Sequence, residues 1–257
     1  IIFAAFLAGF AYFRLSVKAF KQTENSQTAN VEAQAAFTRG KMILARRSVE
    51  NREEKAIDEF QNAVTLDPTF AEGYAGLSEA FLSYAVKKPG KESLDGFAKA
   101  RVAAEKSLAL DADLSDGYLS RGWVKRQADW DWAGAESDLR KAIQLDAKNP
   151  KSHQRLALLL CNLGKLDEAL SESKIAYELD PVGDYIVGAR FPILEARREY
   201  EEALREAEQL TRENKSNNGA LRAYATFLYH TGKYEKVIEI AEDSLASSSA
   251  GRPRTSA

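Results

Sequence analysis

The chain has 257 residues, with 36 Lys and Arg against 38 Asp and Glu and a formal net charge of −2. That balance excludes a strongly basic protein that gathers nucleic acid by bulk charge, and 45% hydrophobic residues exclude wholesale disorder. One cysteine, Cys161, allows neither an intrachain disulfide nor a cysteine zinc site, and two histidines, His153 and His230, leave little for a histidine metal site or a Ser-His-Asp centre.

The chain opens on Ile1–Phe13 (IIFAAFLAGFAYF), thirteen residues without a charge, followed by Arg14, Lys18 and Lys21. As a helix this run covers about 20 Å, short of the ~20 residues that a bilayer span needs. Residues 1–20 are therefore expected to be the end of a transmembrane helix that starts upstream, with its basic flank. Tyr12 and Phe13 would sit near the interface. A buried helix of a soluble domain is the alternative. Residues 21–30 (KQTENSQTAN) are polar and aperiodic, a linker.

From residue 31 the chain repeats. A small or aliphatic residue recurs at Ala56, Ala100, Ala135, Ala169, Ala203 and Val237; the last four are 34 residues apart, and Ala100 to Ala135 is 35. Leu166, Tyr200 and Tyr234 keep the same phase, as do Leu66-Asp67-Pro68, Leu110-Asp111-Ala112, Leu145-Asp146-Ala147 and Leu179-Asp180-Pro181. Gly164 and Gly232 mark turns, with Arg198 in the equivalent place. Between these marks lie pairs of amphipathic segments of helical period. Six helical hairpins over 31–245 are predicted. Their first helices begin near Val31, Ala71, Ser115, Lys151, Asp184 and Asn218, and the partner helices near Asn51, Leu94, Asp131, Leu166, Glu199 and Tyr234. The recurring alanine lets the two helices of a pair approach closely, and one pair cannot cover its own apolar face, so successive pairs must stack. A long loop is expected near 87–94 (KKPGKESL), a kink at Pro192, and a disordered tail over 246–257.

A 34-residue helical hairpin with a mid-hairpin glycine and a closing Leu-Asp-Pro resembles the tetratricopeptide repeat (TPR). That likeness implies an all-α fold, a right-handed α-solenoid of about six repeats preceded by the apolar helix. The stretch Asp129-Trp130-Asp131-Trp132-Ala133-Gly134-Ala135-Glu136, with Phe70-Ala71-Glu72-Gly73-Tyr74 upstream, is similar to the repeat region of CadC-like membrane-anchored winged-helix transcriptional regulators. This implies a sensory or partner-binding domain of a bacterial signalling or transcriptional regulator, held by one membrane helix in the bacterial inner membrane. The output domain would lie upstream, and the side that the repeats face is left open. An assembly or secretion factor that holds subunits, or the accessory domain of a kinase or cyclase, are the rival readings.

In TPR arrays the first helices line the concave side. Carried over unit by unit, that pattern points to Glu72, Glu79, Trp123, Arg126, Gln127, Lys151, Gln154, Arg155, Asn162, Arg222 and Tyr229 as the partner-binding set. Trp123, Arg126 and Arg155 would be anchors, and with Lys151 the two arginines would pair acidic groups of a protein or peptide. Solvated helix charges are the bland alternative. Asp129 or Asp131 is expected to cap a helix, while the indoles of Trp130 and Trp132 clamp neighbouring helices. Cys161 in LLLCNLG reads as a packed thiol. No catalytic residue, metal site, cofactor or nucleic-acid contact is called for, since no Gly-rich phosphate loop, nucleophile elbow or i, i+4 histidine pair is present.

Overall fold

In a computed structural model, the structure describes residues 30–46, 49–181, 186–213 and 218–250. The apolar start, the linker up to 29, the expected helix start at Asp184 and the tail from 251 lie outside them. The regular structure among the described residues is helical: α1 (30–45), α2 (Arg52–Leu66), α3 (Ala71–Ala85), α4 (Gly90–Leu110), α5 (Ser115–Val124) and α6 (Trp132–Leu145). Then follow α7 (Pro150–Asn162), α8 (Leu166–Leu179), α9 (Phe191–Ala196), α10 (Tyr200–Glu213), α11 (Asn218–His230) and α12 (Tyr234–Ala250). Two π-helical turns, Lys125–Asp129 and Ile186–Arg190, follow α5 and precede α9. None of these helices is long and apolar enough to cross a membrane. The chain divides into two units, residues 1–145 and 146–257.

The first unit holds three hairpins, α1/α2, α3/α4 and α5/α6. The recurring small residue works as its spacing predicts: Ala56, Ala100 and Ala135 are each fully buried. Close approach also needs glycine. The Phe60 ring of α2 is wedged between α1 and α3, and a Cβ added at Gly40 or Gly76 would lie 2.8 or 2.6 Å from it. Around this wedge Ala36, Phe37, Ala63, Val64 and Leu77 form one core, with Phe37 edge-on to Phe70 at 5.2 Å. In the second unit Ala169 and Ala203 are likewise fully buried, and Phe191, Leu194, Leu204, Phe227 and Leu228 form the core among α9, α10 and α11.

The Leu-Asp marks are helix stops. At Asp67, Asp111 and Asp146 the carboxylate accepts the backbone N–H two residues on, at 2.9, 2.9 and 3.0 Å. The aspartate thereby offers the chain a local turn in place of another helical bond. Hairpin tips repeat as well. Trp130, Gly164, Arg198 and Gly232 stand two residues before α6, α8, α10 and α12 and are all left-handed, with φ of 56°, 73°, 59° and 75°. The tip position therefore demands a positive φ whatever residue occupies it. Glycine meets it without strain, Arg and Trp do not.

Three expectations need correction. The extra residues of the second hairpin form no long loop: α4 starts at Gly90, not near Leu94, so they lengthen it to 21 residues. Beyond the Pro89-Gly90 turn nothing breaks a helix. The new turn is tied down by Tyr84 Oη donating to Glu92 at 3.3 Å and by Gly96 packing on Ala85, where a Cβ would meet Ala85 Cβ at 2.8 Å. Pro192 lies within one continuous helical run, 186–196, and the irregularity there is a π turn. It is the second residue of α9, directly after that turn, where a wider winding leaves room for a ring that an α-helical carbonyl four residues back would meet. Finally, α12 runs to Ala250, past the expected end at 245, because ASSSA contains no helix stop.

Candidate functional site

The most elaborated part of the first unit is the end of its third hairpin. Here α5 begins 17 residues before α6 (115 to 132), whereas α7 begins 16 before α8 (150 to 166). The surplus residue is taken up as the π turn Lys125–Asp129. Such turns recur at functional sites. Each side of this one is fastened. Asp138 of α6 is buried; it accepts Arg121 Nε and Nη2 at 2.8 and 2.7 Å and pairs with Lys125 Nζ at 2.8 Å. Burial raises its pKa, but the hydrogen bonds from Arg121 and Lys125 outweigh that and hold the carboxyl below its usual range. At the other end Arg101 of α4 pairs with Asp129. Asp131 caps α6, with the Gly134 N–H donating to its Oδ1 at 2.9 Å; a Cβ at Gly134 would collide with that carboxylate.

Between these fastenings stand three of the predicted residues. Trp123 is half-buried and packs against the buried cluster of Leu82, Ala100 and Val124. The Arg126 guanidinium lies 4.5 Å from the centre of its ring, and Arg126 Nη1 donates to Gln127 Oε1 at 2.8 Å. An indole thus fixes the orientation of a half-exposed guanidinium, a geometry suited to a planar carboxylate. Trp130, expected to clamp neighbouring helices, does not. It is 75% exposed and stacks on Trp132 with centroids 6.4 Å apart, because the left-handed tip swings it outward.

The remaining predicted residues are spread more widely. Glu72 is exposed in the first turn of α3 and Glu79 half-buried in its middle. In the second unit Lys151 and Gln154 are half-buried on α7. The Gln154 amide nitrogen packs at Gly188, where a Cβ would lie 2.6 Å from it. Asn162, Arg222 and Tyr229 are exposed, Tyr229 packing edge-on against His230 and Tyr234. Arg155 is only 8% exposed, on a face of α7 shared with Leu156 and Leu159. It is therefore far less open to an incoming acid than Arg126.

Sequence reasoning missed the buried polar clasps. His153 has its Nδ1 2.6 Å from Glu172 Oε2 and its Nε2 3.0 Å from the Ala147 carbonyl. Both partners are acceptors, so the ring is satisfied only when both nitrogens carry protons. The Glu172 hydrogen bond accordingly raises the His153 pKa against the opposing effect of burial. Glu53 is buried between Arg52 (2.6 Å) and Lys87 (2.8 Å). Burial works to raise its pKa, but the hydrogen bonds from Lys87 and Arg52 bring it down to about 2. Nothing in a helical pattern distinguishes these from surface charges.

Residues 139–171, which run from the end of the third hairpin through most of the fourth, match the model of the tetratricopeptide repeat family. Among curated proteins, the chain is similar to the TPR repeat-containing thioredoxin TDX of Arabidopsis thaliana. The two are 35% identical over 97 residues, 38% of this chain and 23% of that protein, so the match spans about a quarter of the relative's length. Among solved structures, it resembles the Pseudomonas aeruginosa protein pilF at 17% identity, covering 88% of this chain and 95% of that one with a TM-score of 0.59. It also resembles the human IFIT1 dimer with m7Gppp-AAAA at 15% identity, covering 91% and 57% with a TM-score of 0.67. These structural likenesses concern the fold. These matches do not show the similarity to CadC-like regulators.

Proposed function

We propose that this TPR protein is an interaction scaffold whose Trp123–Arg126–Gln127 surface recognises an acidic segment of a protein partner. The observation that carries this reading is the Arg126 guanidinium held over the Trp123 indole beside a π turn fastened at both ends. A charge that is pre-oriented loses less entropy on binding than one on a free side chain. We further read residues 1–13 as the membrane anchor of the chain and the repeats as the partner-binding domain of a bacterial signalling or transcriptional regulator. The apolar composition of that segment and the DWDWAGAE motif support this.

The test is calorimetric titration of an acetylated, amidated Asp/Glu-rich hexapeptide into the wild-type chain and into Arg126→Glu. The variant is expected to bind at least tenfold more weakly, about 1.4 kcal/mol, with unchanged helical circular dichroism. Equal binding by the two proteins would discard the Arg126 surface. Arg155 makes a poor second position, since reversing a buried charge perturbs folding itself.

A further inference from the structure

A second feature of the first unit has the opposite charge. Between α2, α3 and the N-terminal turns of α4 lies a cleft of about 290 Å³. This is the low end of the roughly 300–1,000 Å³ typical of small-molecule sites, a size for one side chain and not for a whole ligand. Two aromatic rings of α3, Phe81 and Tyr84, form one wall, and Gly96 of α4, packed on Ala85, is part of its floor. Four carboxylates rim it: Glu54 and Asp58 from α2, Glu92 and Asp95 from α4. Carboxylates alone would mark no more than a solvated helix face. Here a half-open cleft and two π faces stand behind them.

The partners of these groups are informative. Glu54 pairs with Lys88 at 3.0 Å, and Glu92 accepts the Tyr84 hydroxyl. Asp58 and Asp95 enter no ion pair or hydrogen bond among the described residues. Both rings already attract ammonium groups from the chain itself: Lys88 Nζ lies 4.7 Å from the Tyr84 centroid and Lys99 Nζ 5.5 Å from that of Phe81. The walls are thus placed to hold a cation against an aromatic face. Negative rim, aromatic wall and single-side-chain volume together specify the occupant by charge complementarity.

We infer that the cleft between α2, α3 and α4 accepts one basic side chain, lysine or arginine, of a protein partner, held by Asp58 and Asp95 against Phe81 and Tyr84. Lys99 acts as an internal competitor for the Phe81 face and Lys88 for the Tyr84 face. The site is independent of the Arg126 surface, so a partner engaging both would present a basic residue and an acidic segment at separate places.

The test uses the full 257-residue chain labelled with nitrogen-15. It is titrated with an acetylated, amidated Gly-Ser-Lys-Ser-Gly peptide and with the same peptide carrying norleucine for lysine. The lysine peptide is expected to shift the Gly96 amide and its neighbours on α3 and α4, and the norleucine peptide to leave them in place. Asp58→Asn with Asp95→Asn should weaken binding at least tenfold, and Lys99→Ala should tighten it about threefold. Arg126→Glu should leave it unchanged, which separates this site from the surface proposed above. Equal shifts from both peptides, wild-type affinity in the double variant, or shifts that bypass Gly96 would each overturn the assignment.

Discussion

Replacing Arg198 by glycine should make the second unit more stable, although it deletes a charged side chain and adds no contact. Arg198 stands at a hairpin tip with φ of 59°, where the other tips of that unit carry Gly164 and Gly232. Its side chain is exposed and enters no ion pair among the described residues, so little is lost with it. A left-handed conformation costs a residue with a Cβ about 1–2 kcal/mol, and glycine returns about 0.5–1 kcal/mol of that through its greater freedom when unfolded. The net gain is about 0.5–1 kcal/mol. Urea unfolding followed by helical circular dichroism should show a higher midpoint at unchanged slope. Amide exchange should place the gain in α9 and α10. The reverse change, Gly164→Arg, should cost a similar amount. Trp130→Gly relieves the same strain but forfeits the stack on Trp132, about 0.5–1.5 kcal/mol, and should come out near zero. A neutral or destabilising Arg198→Gly, or a Gly164→Arg without cost, would refute the claim that backbone geometry governs these tips.

His153 should make the second unit sensitive to alkali. Its pKa is raised on folding, so its contribution is fully present below the unfolded value of ~6.5 and is lost as pH rises through the folded one. Thermal midpoints should therefore fall from pH 6 towards pH 8. His153→Leu should flatten that profile and cost about 1.5–3 kcal/mol at pH 6 through its two lost hydrogen bonds; an unaltered profile would exclude the clasp. Asp138→Asn should destabilise the first unit by about 3 kcal/mol, the lower end for breaking a buried ion pair, since Arg121 and Lys125 retain some access to water. A urea midpoint change worth under ~1 kcal/mol would show that the two cations do not depend on Asp138.

Periodicity was a sound guide to the hairpins because the quantities that fix it are local. An alanine must recur where two helices touch, and an aspartate must recur where a helix stops; Ala135 at full burial and Asp111 accepting the Asp113 N–H are each what the spacing requires. Burial of charge was not legible. Arg155, Glu53 and Asp138 occupy helical positions that look like solvated faces, and only the packing of other elements decides that they are inside. Trp130 failed for another reason. An aromatic residue normally seeks burial, but a tip that demands positive φ directed this one outward, and backbone geometry overruled the transfer preference of the side chain.

The departures from the 34-residue period carry the most functional meaning. The third hairpin has one residue too many and the second about ten, yet Ala100 and Ala135 both remain buried at their contacts. A stacked array cannot shift those contacts without overpacking the pair, so surplus residues must leave the register beyond them, towards the hairpin tips. In the third hairpin the left-handed Trp130 and the cap at Asp131 fix the exit, so the helix widens into a π turn. In the second, the proline-glycine turn fixes the exit, so α4 grows backwards. One adjustment positions Arg126 over Trp123; the other brings Glu92 and Asp95 across from Tyr84. Each surface assigned to a partner thus joins side chains of the regular repeat helices to ones that the surplus residues put in place, which is how a scaffold can acquire specificity while its core stays the same.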